Sequence, residues 1–169
     1  MIRAFCTSLL VLSLASCSTT TSSVGGGARA KVSTKEYPRV AIVAVDSDSL
    51  IATFQDSIES VFMNMGFDVI DRANLDKIMA EHKIQRSGVT DDATTKELGK
   101  ILGVNALVFV KHKTRDKEYT DSASIKMVNI ETGSTLLNAK YTFAWGFMKT
   151  PAAVAGYLED EIKKQVTNK

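Results

Sequence analysis

The sequence predicts an α/β domain, a three-layer mixed five-stranded sheet with helices packed on it, in the order βαβααβββα. Three observations predict it. The apolar run Arg39-Val-Ala-Ile-Val-Ala-Val45 is followed by a stretch of helical period, and the pattern recurs before a second run, Ala106-Leu-Val-Phe-Val110. Beyond that run the hydrophobic period changes from helical to two. The composition, 44% apolar and 24% charged over 169 residues, is that of one globular domain.

Each element has its own warrant. The run Arg39 to Val45 is rich in β-branched residues with no polar alternation, so it reads as a central strand covered on both faces. Leu50, Ile51, Phe54, Ile58, Val61, Phe62 and Met65 then fall on one helical face. Ser47, Asp48 or Ser49 is available as the cap and Gly66 as the stop. Phe67 to Asp71 is a short second strand, which makes the first unit a right-handed, parallel βαβ crossover. A second helix over about Ala73 to Lys83 turns Leu75, Ile78 and Met79 inward. The loop Gln85 to Thr90 separates it from a third helix, with Asp91 or Asp92 as cap, Leu98, Ile101 and Leu102 as its apolar stripe, and Gly103 as stop. That helix leads into the strand Ala106 to Val110.

Lys111 to Asp121 reads as a charged link. The strand Ser124 to Ile130 pairs with the strand containing Leu137, Ala139, Tyr141, Phe143 and Trp145 through the loop Glu131-Thr-Gly-Ser134, a hairpin with glycine available for positive φ. The apolar phase slips at Met127-Val128, which predicts a bulge. Thr150 as cap and Pro151 at the first helical position open a last helix, with Val154, Tyr157, Leu158, Ile162 and Val166 inward.

The N-terminus precedes this domain. Arg3 and the apolar segment Leu9-Leu-Val-Leu-Ser-Leu14 form a secretory signal, and Leu14-Ala-Ser-Cys17 resembles the bacterial lipoprotein signal. Two small residues let an extended backbone enter a peptidase cleft, and only a thiol there can form the thioether to diacylglycerol. The reading is therefore a lipoprotein signal peptide over 1–16, then the lipidated Cys17 and a flexible tether over 17–36, then the folded domain over 37–169. The sequence has two cysteines; Cys6 leaves with the signal and Cys17 takes the lipid. Disulfide, zinc-thiolate and cysteine-nucleophile chemistry have no residue left to use.

Two or more acyl chains, palmitate among them, give stable anchoring. Ser18 stands where aspartate would retain such a protein in the inner membrane, which points to the outer membrane with the domain facing the periplasm. Ser18 to Thr34 is rich in Ser, Thr and Gly without an apolar period; its root-mean-square reach is roughly 20–25 Å. Gly25-Gly-Gly27 is followed by no Gly-Lys-Ser/Thr, so it is linker and not a phosphate loop.

Twenty-one basic against nineteen acidic side chains leave a formal charge of +2, too balanced for a nucleic-acid surface. The apolar segment within Phe5 to Ala15 is shorter than a membrane span, so the lipid is the expected membrane contact.

Asp71-Arg-Ala-Asn-Leu75-Asp-Lys-Ile-Met-Ala-Glu81-His-Lys-Ile-Gln85-Arg-Ser-Gly88, with Leu98-Gly-Lys-Ile-Leu-Gly103-Val-Asn-Ala-Leu-Val108, resembles the CsgG family, curli production assembly and transport lipoproteins of the outer membrane. The similarity extends more loosely to the strand at Arg39 and to Ile130-Glu-Thr-Gly133. The resemblance implies the family's periplasmic fold, shared with LpoB-type activators of penicillin-binding proteins, and a role in envelope assembly. It does not extend to the pore. A membrane hairpin needs two strands of about 9–11 residues with an apolar outer face. Lys111 to Ser122 is too short and too charged for one, and Gly146 to Thr150 is shorter still.

Asp46-Ser-Asp48 after an apolar strand matches the first motif of HAD-type phosphohydrolases, in which paired carboxylates work beside Mg²⁺. The later lysine and acidic pair of that chemistry are missing at strand ends, and capping accounts for Asp48. His82 and His112 lack partners at metal-ligand spacing and read as surface residues, His112 within the charged link. Lys111, Lys113, Arg115 and Lys117 form an interrupted basic edge, read as a solvated loop with an interaction surface as the alternative. Tyr141, Phe143 and Trp145 are core by alternation; Phe147 and Met148 lie beyond it and are exposed candidates.

The expectation is a non-enzymatic interaction or assembly component without cofactor, metal site or small-molecule substrate. It acts on a protein partner or on copies of itself. An LpoB-like activator of a cell-wall synthase is the alternative, and a phosphohydrolase using Asp46 and Asp48 a remote one.

Overall fold

A computed structural model describes residues 31–46, 48–84, 91–143 and 148–167. The chain enters through β1 (Val32–Ser33) and continues as β2 (Arg39–Ala44), α1 (Ile51–Asn64), β3 (Asp68–Val69), α2 (Arg72–Glu81), α3 (Asp92–Leu102), β4 (Ala106–Arg115), β5 (Tyr119–Asn129), β6 (Thr135–Thr142), α4 (Pro151–Gln165) and β7 (Val166–Thr167). From β2 to α4 this is the order read from the sequence. The main sheet runs β3-β2-β4-β5-β6. β2 pairs in parallel with β3 and with β4, and β5 and β6 extend the sheet antiparallel.

The sheet is mixed because of its connections: helical crossovers return the chain parallel, whereas short turns reverse it.

The two faces of β2 explain its unbroken apolar run. Val40, Ile42 and Ala44 join Val108, Val110, Ile125 and Leu137 beneath α1 and α4, against Phe54, Ile58, Phe62, Leu158 and Ile162. Ala41 and Val43 join Leu107 and Phe109 beneath α2 and α3, against Leu75, Met79, Leu98 and Leu102. Asp71, Asp91 and Thr150 cap α2, α3 and α4 through side-chain oxygens, and Pro151 opens α4. Gly103 closes α3 at φ 63°, a left-handed conformation that a side chain would oppose. Gly99 has another role: a Cβ there would lie 2.7 and 2.8 Å from Ile130 Cγ1 and Cγ2, so its missing side chain lets α3 pack onto the β5–β6 hairpin. The phase slip at Met127-Val128 is a register shift between β5 and β6, as expected.

The structure corrects three expectations. Val32 and Ser33 lie inside the stretch assigned to the tether, yet they pair in parallel with Val166 and Thr167, and Val32 and Tyr37 are buried. Composition concealed this because the ordering comes from the far end of the chain. Lys111 to Asp121 is not a link. β4 continues to Arg115, turns through Asp116 and Lys117 at φ 52° and 63°, and returns as β5 from Tyr119. Lastly, α1 starts after Leu50 without a side-chain cap: Asp48 accepts the amide of Leu50 itself and not one of the first turn, and it also accepts from Thr114 on β4.

Among the described residues no helix is long and apolar enough to cross a membrane. The signal segment, Cys17, the loop Gln85 to Thr90, Trp145 and Phe147 lie outside the described residues.

Candidate functional site

Asp48 follows β2, and His112 sits on β4 in phase with Ala106, Val108 and Val110, so both reach the α1 side of the sheet. Asp48 Oδ1 lies 3.1 Å from His112 Nδ1 and accepts the Leu50 amide at 2.9 Å. Oδ2 accepts the Thr114 amide at 2.8 Å, and the Thr114 hydroxyl donates to Oδ1. A register shift between Lys113 and Thr114 on the β4–β5 ladder lies at this point. On the far side of the imidazole, Nε2 lies 2.9 Å from Thr120 Oγ1, and the Phe54 ring stacks at 5.1 Å between centroids.

Burial, the largest single influence on Asp48, would raise its pKa. The hydrogen bonds from the Thr114 side chain, the Leu50 and Thr114 amides and His112 together outweigh it and hold the carboxyl at about 2. An ionised carboxylate only accepts, so the proton between the two side chains belongs to Nδ1.

Carboxylate, imidazole and hydroxyl thus stand in the order of a hydrolytic triad, but the arrangement is closed. His112 is 2% exposed and Thr120 fully buried, so no substrate carbonyl or phosphate reaches the hydroxyl. The cluster ties the loop before α1 to the β4–β5 hairpin.

The expectation that His112 is a surface residue is therefore overturned. The charged neighbours Lys111 and Lys113 hid its place on the inward phase of a strand that runs past Val110, and extending the two-residue period from Val108 through Val110 would have found it. His82, at the end of α2, is exposed as expected. Asp46 is separated from this role. It borders a cavity of about 250 Å³ on the opposite side of the sheet with Lys111, Lys113, Ser122, Ser124 and Lys140. Among the described residues no cluster of three His, Cys, Asp or Glu side chains could hold a metal ion.

The basic run is also rearranged. Arg115 stacks over the Phe143 ring at 4.5 Å, and Lys113 lies 3.8 Å from Asp121. Lys111 instead lies opposite Ser124, which lies opposite Lys140 on the next strand, and Lys126 lies opposite Asn138. Tyr141 is core, 1% exposed, and Met148 is 47% exposed, both as expected; Tyr157, expected to face inward from α4, is 47% exposed, with Lys149 over its ring at 4.4 Å.

Residues 47–111 match the family described as curli production assembly/transport component CsgG. This stretch of the chain is CsgG-like. It begins beside Asp48, holds α1 to α3, and ends one residue before His112; the motif residues Asp71 to Val108 lie within it. A comparison with curated proteins gives no match.

Among solved structures, the fold is similar to that of the lipoprotein GNA1162 from Neisseria meningitidis, with a TM-score of 0.56 and 14% identity over 76% of this chain and 95% of the other. It is similar to the PelC dodecamer from Paraburkholderia phytofirmans, with a TM-score of 0.51 and 12% identity over 88% and 100%. The NMR structure of E. coli LpoB gives 0.51 and 9% over 66% and 56%. At these identities the likeness is one of fold.

Proposed function

We propose that this protein is a lipid-anchored envelope component, held by Cys17 in the outer membrane with its domain facing the periplasm, and that it acts by protein association without catalysis. The observation that carries the reading is the match of residues 47–111 to an assembly and transport family. The lipoprotein-type signal ending at Cys17 supports the anchor, and the likeness in fold to a lipoprotein and to a dodecamer accords with anchoring and assembly.

The reading excludes a pore. The hairpin of β4 and β5 stays within the domain's sheet, with Phe54 over His112 on one face and Lys111, Lys113, Ser122 and Ser124 on the other. Neither face is an apolar band of the kind lipid requires. A catalytic role for Asp48 is disfavoured because its oxygens already accept four hydrogen bonds from Leu50, His112 and Thr114.

The test is metabolic labelling with a palmitate analogue, followed by crosslinking in intact cells. The native chain takes label and fractionates with outer membrane, and Cys17→Ser abolishes both. Copies of the chain or a second envelope protein in the crosslinks are the expected partners; a penicillin-binding protein would replace the assembly role with synthase activation. Label-free protein, membrane-bound Cys17→Ser, or conductance across planar bilayers would overturn the reading.

A further inference from the structure

α2 and α3 cover only part of their side of the sheet. Their core ends at Phe109 and Val128, and among the described residues no helix covers the same face over the outer ends of β4, β5 and β6. Because side chains alternate, that surface presents Lys111 and Lys113 from β4, Ser122, Ser124 and Lys126 from β5, and Asn138, Lys140 and Thr142 from β6. Lys111, Ser124 and Lys140 form one row across three strands. With strands about 4.8 Å apart, the two ammonium stems stand about 10 Å apart with a hydroxyl between them. Lys111, Lys126 and Lys140 are all exposed, and among the described residues none is ion-paired to a carboxylate. The acidic groups bordering the surface are Asp121, beside Lys113, and Asp46 at the end of β2.

We propose that this open sheet face binds a linear anionic glycan, a polymer carrying a carboxylate or phosphate on its repeats, with anionic groups seated between Lys111 and Lys140 over Ser124 and sugar hydroxyls meeting Ser122 and Asn138. Charge complementarity selects an anionic ligand in a chain whose overall charge is nearly balanced. The lack of an aromatic or aliphatic side chain among the described residues of the face selects a glycan over a protein. Protein interfaces concentrate their energy in buried aromatic, aliphatic or arginine side chains, whereas this surface offers lysine stems and hydroxyl or amide groups over a shallow cavity of about 250 Å³. The proposal is independent of lipidation at Cys17.

The experiment titrates the purified full-length chain in detergent against fluorescently labelled polygalacturonate by polarisation, with neutral dextran and poly-L-glutamate as comparison ligands. Polygalacturonate binds, more weakly as salt rises, and dextran does not. Lys111→Gln with Lys140→Gln weakens binding about tenfold, while Lys111→Arg with Lys140→Arg retains it. Lys163→Gln with Lys164→Gln changes net charge equally on α4 and leaves affinity unaltered. Circular dichroism confirms folding of each variant. Absence of polygalacturonate binding, equal loss in the α4 variant, or tighter binding of poly-L-glutamate would overturn the proposal, the last in favour of an acidic protein partner.

Discussion

Asp48 and His112 stand 64 residues apart in the chain and 3.1 Å apart in the fold. The contact joins the start of the CsgG-like stretch to the strand residue just past its end, and with Thr114 and Thr120 it fixes the hairpin of β4 and β5 on α1. Its energetic weight comes from burial. A polar side chain closed off from water contributes most when every donor and acceptor is matched, and costs most when one is removed.

Replacing His112 by alanine takes away a ring packed on Phe54 and leaves Asp48 and Thr120 each short of a partner. The expected loss is about 2–4 kcal/mol, read as a lower urea midpoint at unchanged slope. Retention of wild-type stability would mean that the cluster does not hold the hairpin.

Asp48 gives the fold a pH dependence of defined sign. Its carboxyl is held at about 2 against an ordinary 3.8, so folding favours the ionised form. That contribution is complete above the unfolded value and disappears as pH falls through the folded one. Asp48→Asn therefore costs on the order of 1–2 kcal/mol near neutral pH, and the difference from the native chain narrows as pH drops from 3.8 towards 2. Urea melts at stepped pH measure the gap; a difference that persists unchanged to the lowest pH would rule out this origin.

Gly99→Ala tests the contact between α3 and the β5–β6 hairpin. Alanine favours helix by about 1 kcal/mol over glycine, but its Cβ would collide with Ile130, which is 5% exposed. Overpacking of about 1–3 kcal/mol wins, so the variant is destabilised. Ile130→Val removes the Cδ1 contact and partly relieves the clash, so the double-mutant cycle gives a favourable coupling. Additive effects would show that α3 moves freely.

One position on the edge of β6 is occupied by a side chain. Gln165, at the end of α4, donates to the Asn138 carbonyl at 3.0 Å and accepts from its amide at 3.3 Å, as a neighbouring strand would. Gln165→Ala exposes that backbone, and hydrogen exchange at Asn138 rises several-fold while residues of β2 keep their protection. Exposed strand edges pair with other chains, so the variant also self-associates more readily at high concentration.

A substitution at Val32 places that residue in linker or domain. Val32 is 4% exposed and paired with Val166, so Val32→Ala costs about 1–2 kcal/mol in thermal or urea unfolding. A neutral effect would return Val32 to the tether.

The sequence by itself determined the order of strands and helices from β2 to α4, the parallel crossovers, the central place of Val40 to Ala44, a cap at Asp91 or Asp92 and one at Thr150, and the irregularity at Met127. These follow from local period and cap chemistry, which act over a few residues and so are written in neighbouring positions. The resemblance of Asp71 to Val108 was legible for the same reason. Only the tertiary structure decided that His112 is buried, that Asp48 pairs with it, that Val32 belongs to the domain, and that Lys126 and Lys140 complete a basic surface begun by Lys111. Each of these depends on which distant segments the sheet places side by side. Cross-strand register and the reach of β4 beyond its apolar run are set by long-range packing, and a charged residue reads the same in a loop as on the open face of a strand.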